Sequence, residues 1–276
     1  MRETEVGARA SRRVWFRSMC PVVRLPDFLI VGAMKSGTTS LAKWLGDHPD
    51  VFVPESKELH FFDLEWKRGV RWYAGHFDAL PPDTLVGEAT PAYMAHAFCV
   101  PRMADVVPNA RLIAVLREPV SRAWSHYQHL VAKNGERRTF EEILGIEMTL
   151  RQDDSDIGYY FRARGHYIEQ LTRITDRFPR SHVLVELFDE LVLEPHEAMR
   201  RVCRFLDIEE VVPAVVGTAY NQRAPVARGV RNVWGALHRK EEMARYVRHE
   251  LHEHFRPYNR KLAAWLGREL PPSWAS

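Results

Sequence analysis

The run Gly32-Ala33-Met34-Lys35-Ser36-Gly37-Thr38-Thr39-Ser40 holds two glycines, one cation and four hydroxyls in nine residues. The apolar Phe28-Leu29-Ile30-Val31 precedes it and an amphipathic stretch follows, which reads as strand, loop and helix. Such a loop can wrap a phosphate. Gly37 lets the backbone approach closely, and the amides from about Ser36 to Ser40 point at the anion. Thr38, Thr39 and Ser40 add hydroxyl donors. In the nucleoside-triphosphate loop, G-x-x-x-x-G-K-S/T, the lysine directly follows the second glycine. Here Thr38 holds that place and Lys35 stands two residues before Gly37, so the cation reaches past the phosphate to whatever is bonded to it. A strand-to-helix turn with a surface lysine is the competing reading.

Two further blocks carry polar chemistry. Arg117 closes an apolar run, and Ser121 and Ser125 share a helix face by their i, i+4 spacing. An arginine fork beside a serine hydroxyl makes a compact anion site. Taken singly, Arg117 also suits an ion pair with Glu118, and Ser125 a helix surface. The block Pro54-Glu55-Ser56-Lys57-Glu58-Leu59-His60-Phe61-Phe62-Asp63 is a polar loop meeting an apolar pair. A solvated turn anchored by Phe61 and Phe62 accounts for it as well as a site does. Near the C-terminus, Arg223 to Arg231 is a basic loop containing Gly229.

The elements that must position these groups alternate between strand and helix. Strands are expected at 27–31, 51–53, 84–87, 111–116 and 182–185. The non-alternating Arg-Leu-Ile-Ala-Val-Leu of 111–116 suits a buried parallel strand. Helices are expected at 39–46, 120–132, 140–151, 166–178 and 195–206, with Pro119 near the first turn of the second. Two more follow at 240–255 and 257–266. Leu41, Trp44 and Leu45 would share one buried face, and Met199, Val202, Cys203 and Leu206 another. This order predicts an α/β chain, a three-layer P-loop-like fold with a central, mainly parallel sheet flanked by helices. Ligands of such sheets bind at the carboxyl ends of the strands, where Gly32, the segment after Val53, Gly87 and Arg117 would all lie.

A basic N-terminal arm is expected over 1–26 and a single domain over 27–276. The net charge of +3 is too small to argue for a nucleic-acid partner and suits an enzyme that handles anions. Three scattered cysteines, Cys20, Cys99 and Cys203, indicate neither a disulfide framework nor a zinc site, and point to a reducing compartment. No run approaches the roughly 18 apolar residues of a membrane span, and a cytoplasmic location is expected. His249 to His254 misses the H-E-x-x-H spacing, because its second histidine falls at i+3, and reads as a solvated helix face. Asp153-Asp154-Ser155-Asp156 lacks the glycine and glutamate of a calcium loop.

Phe28 to Leu41 resembles the 5′-phosphosulfate loop of sulfotransferases that use 3′-phosphoadenosine 5′-phosphosulfate (PAPS), in the heparan sulfate and carbohydrate branch. The resemblance runs in order to about Leu206, and more loosely to Arg231. It implies that Lys35 contacts the oxygen bridging phosphate and sulfate. Lys57-Glu58-Leu59-His60-Phe61-Phe62 resembles the family's acceptor-activating segment, which implies Glu58 as general base with His60 as its assistant or as a donor in the acceptor site. Glu55 is a weaker candidate. A hydroxyl is a poor nucleophile until its proton has somewhere to go, and a positioned carboxylate supplies that. Arg117 to Ser125 resembles the 3′-phosphate segment R-x-P-x-x-R-x-x-S, implying Arg117 and Ser125 as ligands. Arg228 and Gly229 match a late loop that closes over the 3′-phosphate and adenosine. Gly87 to Tyr93 resembles an acceptor segment in which Ala89 stands where heparan-specific relatives often carry lysine, and Tyr93 either lines the cleft or packs in the core.

The resemblance therefore implies transfer of a sulfonate from PAPS, leaving 3′-phosphoadenosine 5′-phosphate (PAP), to a hydroxyl or amine of a glycan, glycolipid or small metabolite, without a metal. The alternative is a P-loop kinase or nucleotide hydrolase. It needs its lysine after Gly37 and an aspartate at a strand end, and here the strand ends in Arg117. A third reading, a catalytically dead scaffold, would have lost Lys35 or Glu58, and both are present.

Overall fold

The computed structural model describes residues 23–56, 58–78, 80–148, 160–219 and 242–274. Five strands build one sheet: β1 (Phe28–Gly32), β2 (Val51–Phe52), β3 (Leu85–Ala89), β4 (Arg111–Leu116) and β5 (Val183–Leu187). Their spatial order is β2-β3-β1-β4-β5 and every pairing is parallel, with Ile30 beside Ala89 on one side and Ile113 on the other. Between and after the strands run α1 (Thr38–Gly46), α2 (Val70–Ala74), α3 (Cys99–Val106), α4 (Pro119–Asn134), α5 (Phe140–Glu147), α6 (Tyr167–Thr175), α7 (Phe188–Leu193), α8 (Pro195–Leu206) and α9 (Arg245–Leu266).

The strands are apolar throughout because both sheet faces are covered. Successive side chains point to opposite faces. Leu29, Val31, Leu112, Ala114 and Leu116 enter a core shared with Met103 of α3 and Leu171 of α6. Phe28, Ile30, Ile113 and Val115 enter the other core, with Leu41, Trp44 and Leu45 of α1 and Met199, Val202, Cys203 and Leu206 of α8. A third cluster joins α4, α5 and α9 through Val120, Tyr127, Phe140, Leu251 and Phe255.

The central parallel sheet flanked by helices is the expected architecture, and most elements fall within a few residues of their expected limits. Three short helices, α2, α3 and α7, were not expected. The expected helix at 140–151 is helical over Phe140–Glu147, and the one at 166–178 over Tyr167–Thr175. The expected break at Pro257 does not occur, since α9 runs through it. A proline inside a helix removes one hydrogen bond, but the buried stripe Val247, Leu251, Phe255, Asn259 and Leu262 continues across it and holds both halves. The stretch His249 to His254 is solvated only in part. His249, Glu250 and Glu253 are exposed, Leu251 is buried, and Nε2 of His254 lies 2.8 Å from Nε2 of His166.

Candidate active site

One cleft of about 920 Å³ opens at the carboxyl edge of the sheet. All five strands deliver a residue to its wall: Lys35 after β1, Glu58 after β2, Pro91 after β3, Arg117 after β4 and Phe188 after β5. Gly37, Thr38, Thr39 and Ser40 line the same wall. Gly37 is the N-cap of α1, with φ 89°, and no side chain caps the helix. The first N–H groups of a helix have no intrahelical acceptor, and the helix dipole makes that end attractive to an anion. A Cβ on Gly37 would come 3.2 Å from the Phe188 ring, so both its backbone angle and its neighbour favour glycine. Ser36, expected among the anion ligands, is not brought to the cleft. It is fully buried, its N–H donates to the Ala33 carbonyl at 3.2 Å, and its Oγ has no partner.

Arg117 stands across the loop from α1. Its Nη1 donates to the Lys35 carbonyl at 3.3 Å, and its guanidinium lies 4.8 Å from the Phe188 ring centre. Burial pulls its pKa down from the ordinary arginine value. Glu118 is not its ion-pair partner. That carboxylate caps α4, accepting from the N–H groups of Val120 at 2.8 Å and Ser121 at 2.6 Å. The cap starts the helix that carries Ser121 and Ser125 into the cleft beside Arg117. The same helix brings Gln128, His129 and Lys133 to the wall, and Arg248 reaches it from α9.

Lys35 has φ 71°, and its Nζ is 3.4 Å from Nδ1 of His129. Burial, and then the Lys35 charge, lower the His129 pKa to about 4. The ring is therefore neutral at pH 7 and accepts from Lys35 through Nδ1, which leaves its proton on Nε2.

Glu58 reaches the cleft from the segment after β2. His60 lies between two carboxylates, with Nε2 3.5 Å from Oε2 of Glu58 and Nδ1 2.8 Å from Oδ2 of Asp63. Hydrogen bonds to Asp63 first and Glu58 second raise its pKa from 6.5 to about 10, so it is an imidazolium at neutral pH. Asp63 is nearly buried, with a side chain 4% exposed, and its Oδ1 also accepts from the Leu64 N–H. Glu55 is exposed and does not line the cleft. Tyr93 packs in the core, fully buried. Arg228 and Gly229 lie outside the described residues.

Sequence reasoning missed Asp63, His129, Lys133 and Arg248. The first stands three residues after His60, and His129 stands one helical turn after Ser125, so a search by helical spacing from Ser125 would have found it.

A strand-loop-helix anion cradle at the carboxyl edge of a parallel sheet defines a P-loop-like nucleotide-binding protein. The comparisons narrow this. The family model for the sulfotransferase domain matches residues 25–259. A sulfotransferase from Alicyclobacillus acidocaldarius, solved as a crystal structure, superposes with a TM-score of 0.76 at 32% identity, covering 92% of this chain and all of that one. Heparan sulfate glucosamine 3-O-sulfotransferase 6 of Homo sapiens is 32% identical over 266 residues, covering 90% of this chain and 73% of that protein. Membrane-associated sulfotransferase kil1 of Dictyostelium discoideum is 42% identical over 106 residues, 37% of this chain and 22% of that protein. The chain belongs to the sulfotransferase family. It spans less than two thirds of the length of several of its curated relatives. Among the described residues, no helix is long and apolar enough to cross a membrane.

Proposed function

We propose that this protein transfers the sulfonate of PAPS to a hydroxyl or amine of a glycan or small-molecule acceptor. The observation that carries the reading is the sharing of one cleft by an uncapped helix N-terminus, Lys35, Arg117 and Glu58. Family membership supports it, and so does the similarity to the human heparan sulfate glucosamine 3-O-sulfotransferase 6. PAPS would supply a sulfonate on a phosphate that leaves readily.

Gly37 to Ser40 hold the 5′-phosphate by backbone and hydroxyl donors. Arg117, with Ser121 and Ser125, holds the second phosphate. Lys35 offers its ammonium to the bridging oxygen, where charge develops as the bond to sulfur breaks. Glu58 takes the acceptor proton. The His60 imidazolium orients that carboxylate through one nitrogen while Asp63 holds the other. His129, being neutral, fixes the lysine without competing for the anion.

The phosphoryl-transfer alternative is weaker on two counts. The cation sits before Gly37, and the carboxylate that follows β4, Glu118, is consumed in capping α4. Calorimetric titration with PAP, in parallel with magnesium-ATP, tests the reading. Micromolar or tighter PAP binding without magnesium, and weak ATP binding, is the expected result. Binding of magnesium-ATP alone would overturn it.

A further inference from the structure

Glu88 is a fully buried carboxyl one residue before the end of β3, outside the cleft wall. Its Oε1 accepts from the Tyr73 hydroxyl at 2.8 Å and the Tyr93 hydroxyl at 2.9 Å. Its Oε2 accepts from the Thr90 hydroxyl at 2.8 Å and the Leu59 N–H at 3.4 Å. Two of these hydroxyls are relays. The Tyr93 oxygen accepts from the N–H of Phe61 at 2.9 Å and of Phe62 at 3.4 Å. The Thr90 oxygen accepts from the N–H of His60 at 3.3 Å. Four consecutive backbone donors, at residues 59 to 62, thus end on one carboxylate, directly or through one hydroxyl.

That segment has neither a helix nor a strand ladder to satisfy its amides. It also holds His60 at φ 51°, a left-handed conformation that a side chain seldom adopts unless its surroundings impose it. Buried amides must find acceptors, and here a single side chain from the neighbouring strand supplies or organises all of them. We infer that Glu88 is a positioning residue. It sets the backbone from Leu59 to Phe62, so that His60 meets Glu58, which lines the cleft, in the geometry described above.

The inference rests on reading Glu58 as the base only for its catalytic consequence; the positioning itself stands on the hydrogen bonds. The demand is for an acceptor-only group. Both lone pairs of the Tyr93 hydroxyl are taken by the Phe61 and Phe62 amides, so its proton must go to Glu88. A glutamine would present an NH₂ group to a donor on one side or the other, leaving at least one buried donor unpaired.

The test uses side-chain NMR of the histidines in full-length protein, with the His60 signal assigned from a His60→Asn spectrum. In the wild type, its hydrogen bonds to Asp63 and Glu58 are expected to hold His60 up at about 10. In Glu88→Gln it is expected to move toward the ordinary histidine value by about one pH unit or more, while PAP affinity by calorimetry stays within about twofold. Thr90→Val removes only one relay and should give a smaller shift, and Thr90→Ser, which keeps the hydroxyl, should restore the wild-type titration. These two milder variants decide the matter if Glu88→Gln does not fold. An unchanged His60 titration in folded Glu88→Gln, or in Thr90→Val where only that variant folds, overturns the inference. Unchanged turnover in Glu58→Gln would instead remove the base assignment and leave the Glu88 result standing.

Discussion

Replacing Asp63 by asparagine should expose how much of the site is held by one ion pair. His60 is raised from 6.5 to about 10, with Asp63 the largest cause and Glu58 the next. At about 1.4 kcal/mol per pH unit, that difference caps the combined stabilisation at about 5 kcal/mol. The His60 side chain is 32% exposed and part of the effect belongs to a more exposed carboxylate, Glu58, so solvent screening and the shared origin reduce the Asp63 part to about 1–2 kcal/mol. In a chain of this size such a loss lowers the melting temperature by about 2–8 °C.

The pH dependence has a definite sign. A group whose folded pKa is raised contributes its full stabilisation below the unfolded value, and loses it as pH climbs through the folded value. The gap between wild type and Asp63→Asn should therefore be widest near pH 6.5 and close as pH approaches 10. His96, whose coupled charges include His60 and Asp63, has its own pKa lowered to about 4 by burial and stays neutral across that window. Thermal unfolding monitored by circular dichroism at half-unit steps from pH 6.5 to 10 is the assay. A gap that stays constant with pH, or a variant as stable as wild type throughout, would refute the ion-pair argument.

Two further outcomes follow from the cleft geometry. Lys35→Ala and Glu58→Gln should each lower kcat by about a hundredfold or more, while leaving PAP affinity within about threefold for Glu58→Gln; steady-state and binding measurements on the same preparations separate the two effects. Arg117→Ala should weaken PAP binding by about tenfold to a hundredfold, the loss expected for hydrogen bonds to a charged group, and a calorimetric affinity equal to wild type would remove Arg117 from the phosphate site.

What was legible in the sequence was whatever local pattern dictates. The apolar Arg111–Leu116 run announced a parallel strand at its true limits, and Arg117 at its end marked the cleft edge. The spacing of Met199, Val202, Cys203 and Leu206 announced a buried helix face. What was not legible depends on contacts between distant segments. Glu88 looks like any strand-end acid until β3 is laid beside the segment after β2, 29 residues from Leu59 in the chain. His129 acquires meaning only when α4 brings it to a lysine 94 residues away. Pro257 misled because its local penalty is real, but the packing on both sides of it outweighs that penalty.

The same logic explains why the lysine can leave its usual P-loop place without the cradle losing cohesion. Lys35 is left-handed, so its carbonyl and its side chain engage different partners. The carbonyl accepts from Arg117, and the ammonium goes to His129. Phe188 then serves both halves, as the face under the Arg117 guanidinium and as the wall against which Gly37 must have no Cβ. A lysine placed after Gly37 would sit at the first residue of α1. With the lysine at 35, one residue's backbone orients Arg117, and in the proposed reading its side chain meets the group beyond the phosphate. In the proposed reaction that division separates the binding cation from the cation that stabilises the leaving oxygen.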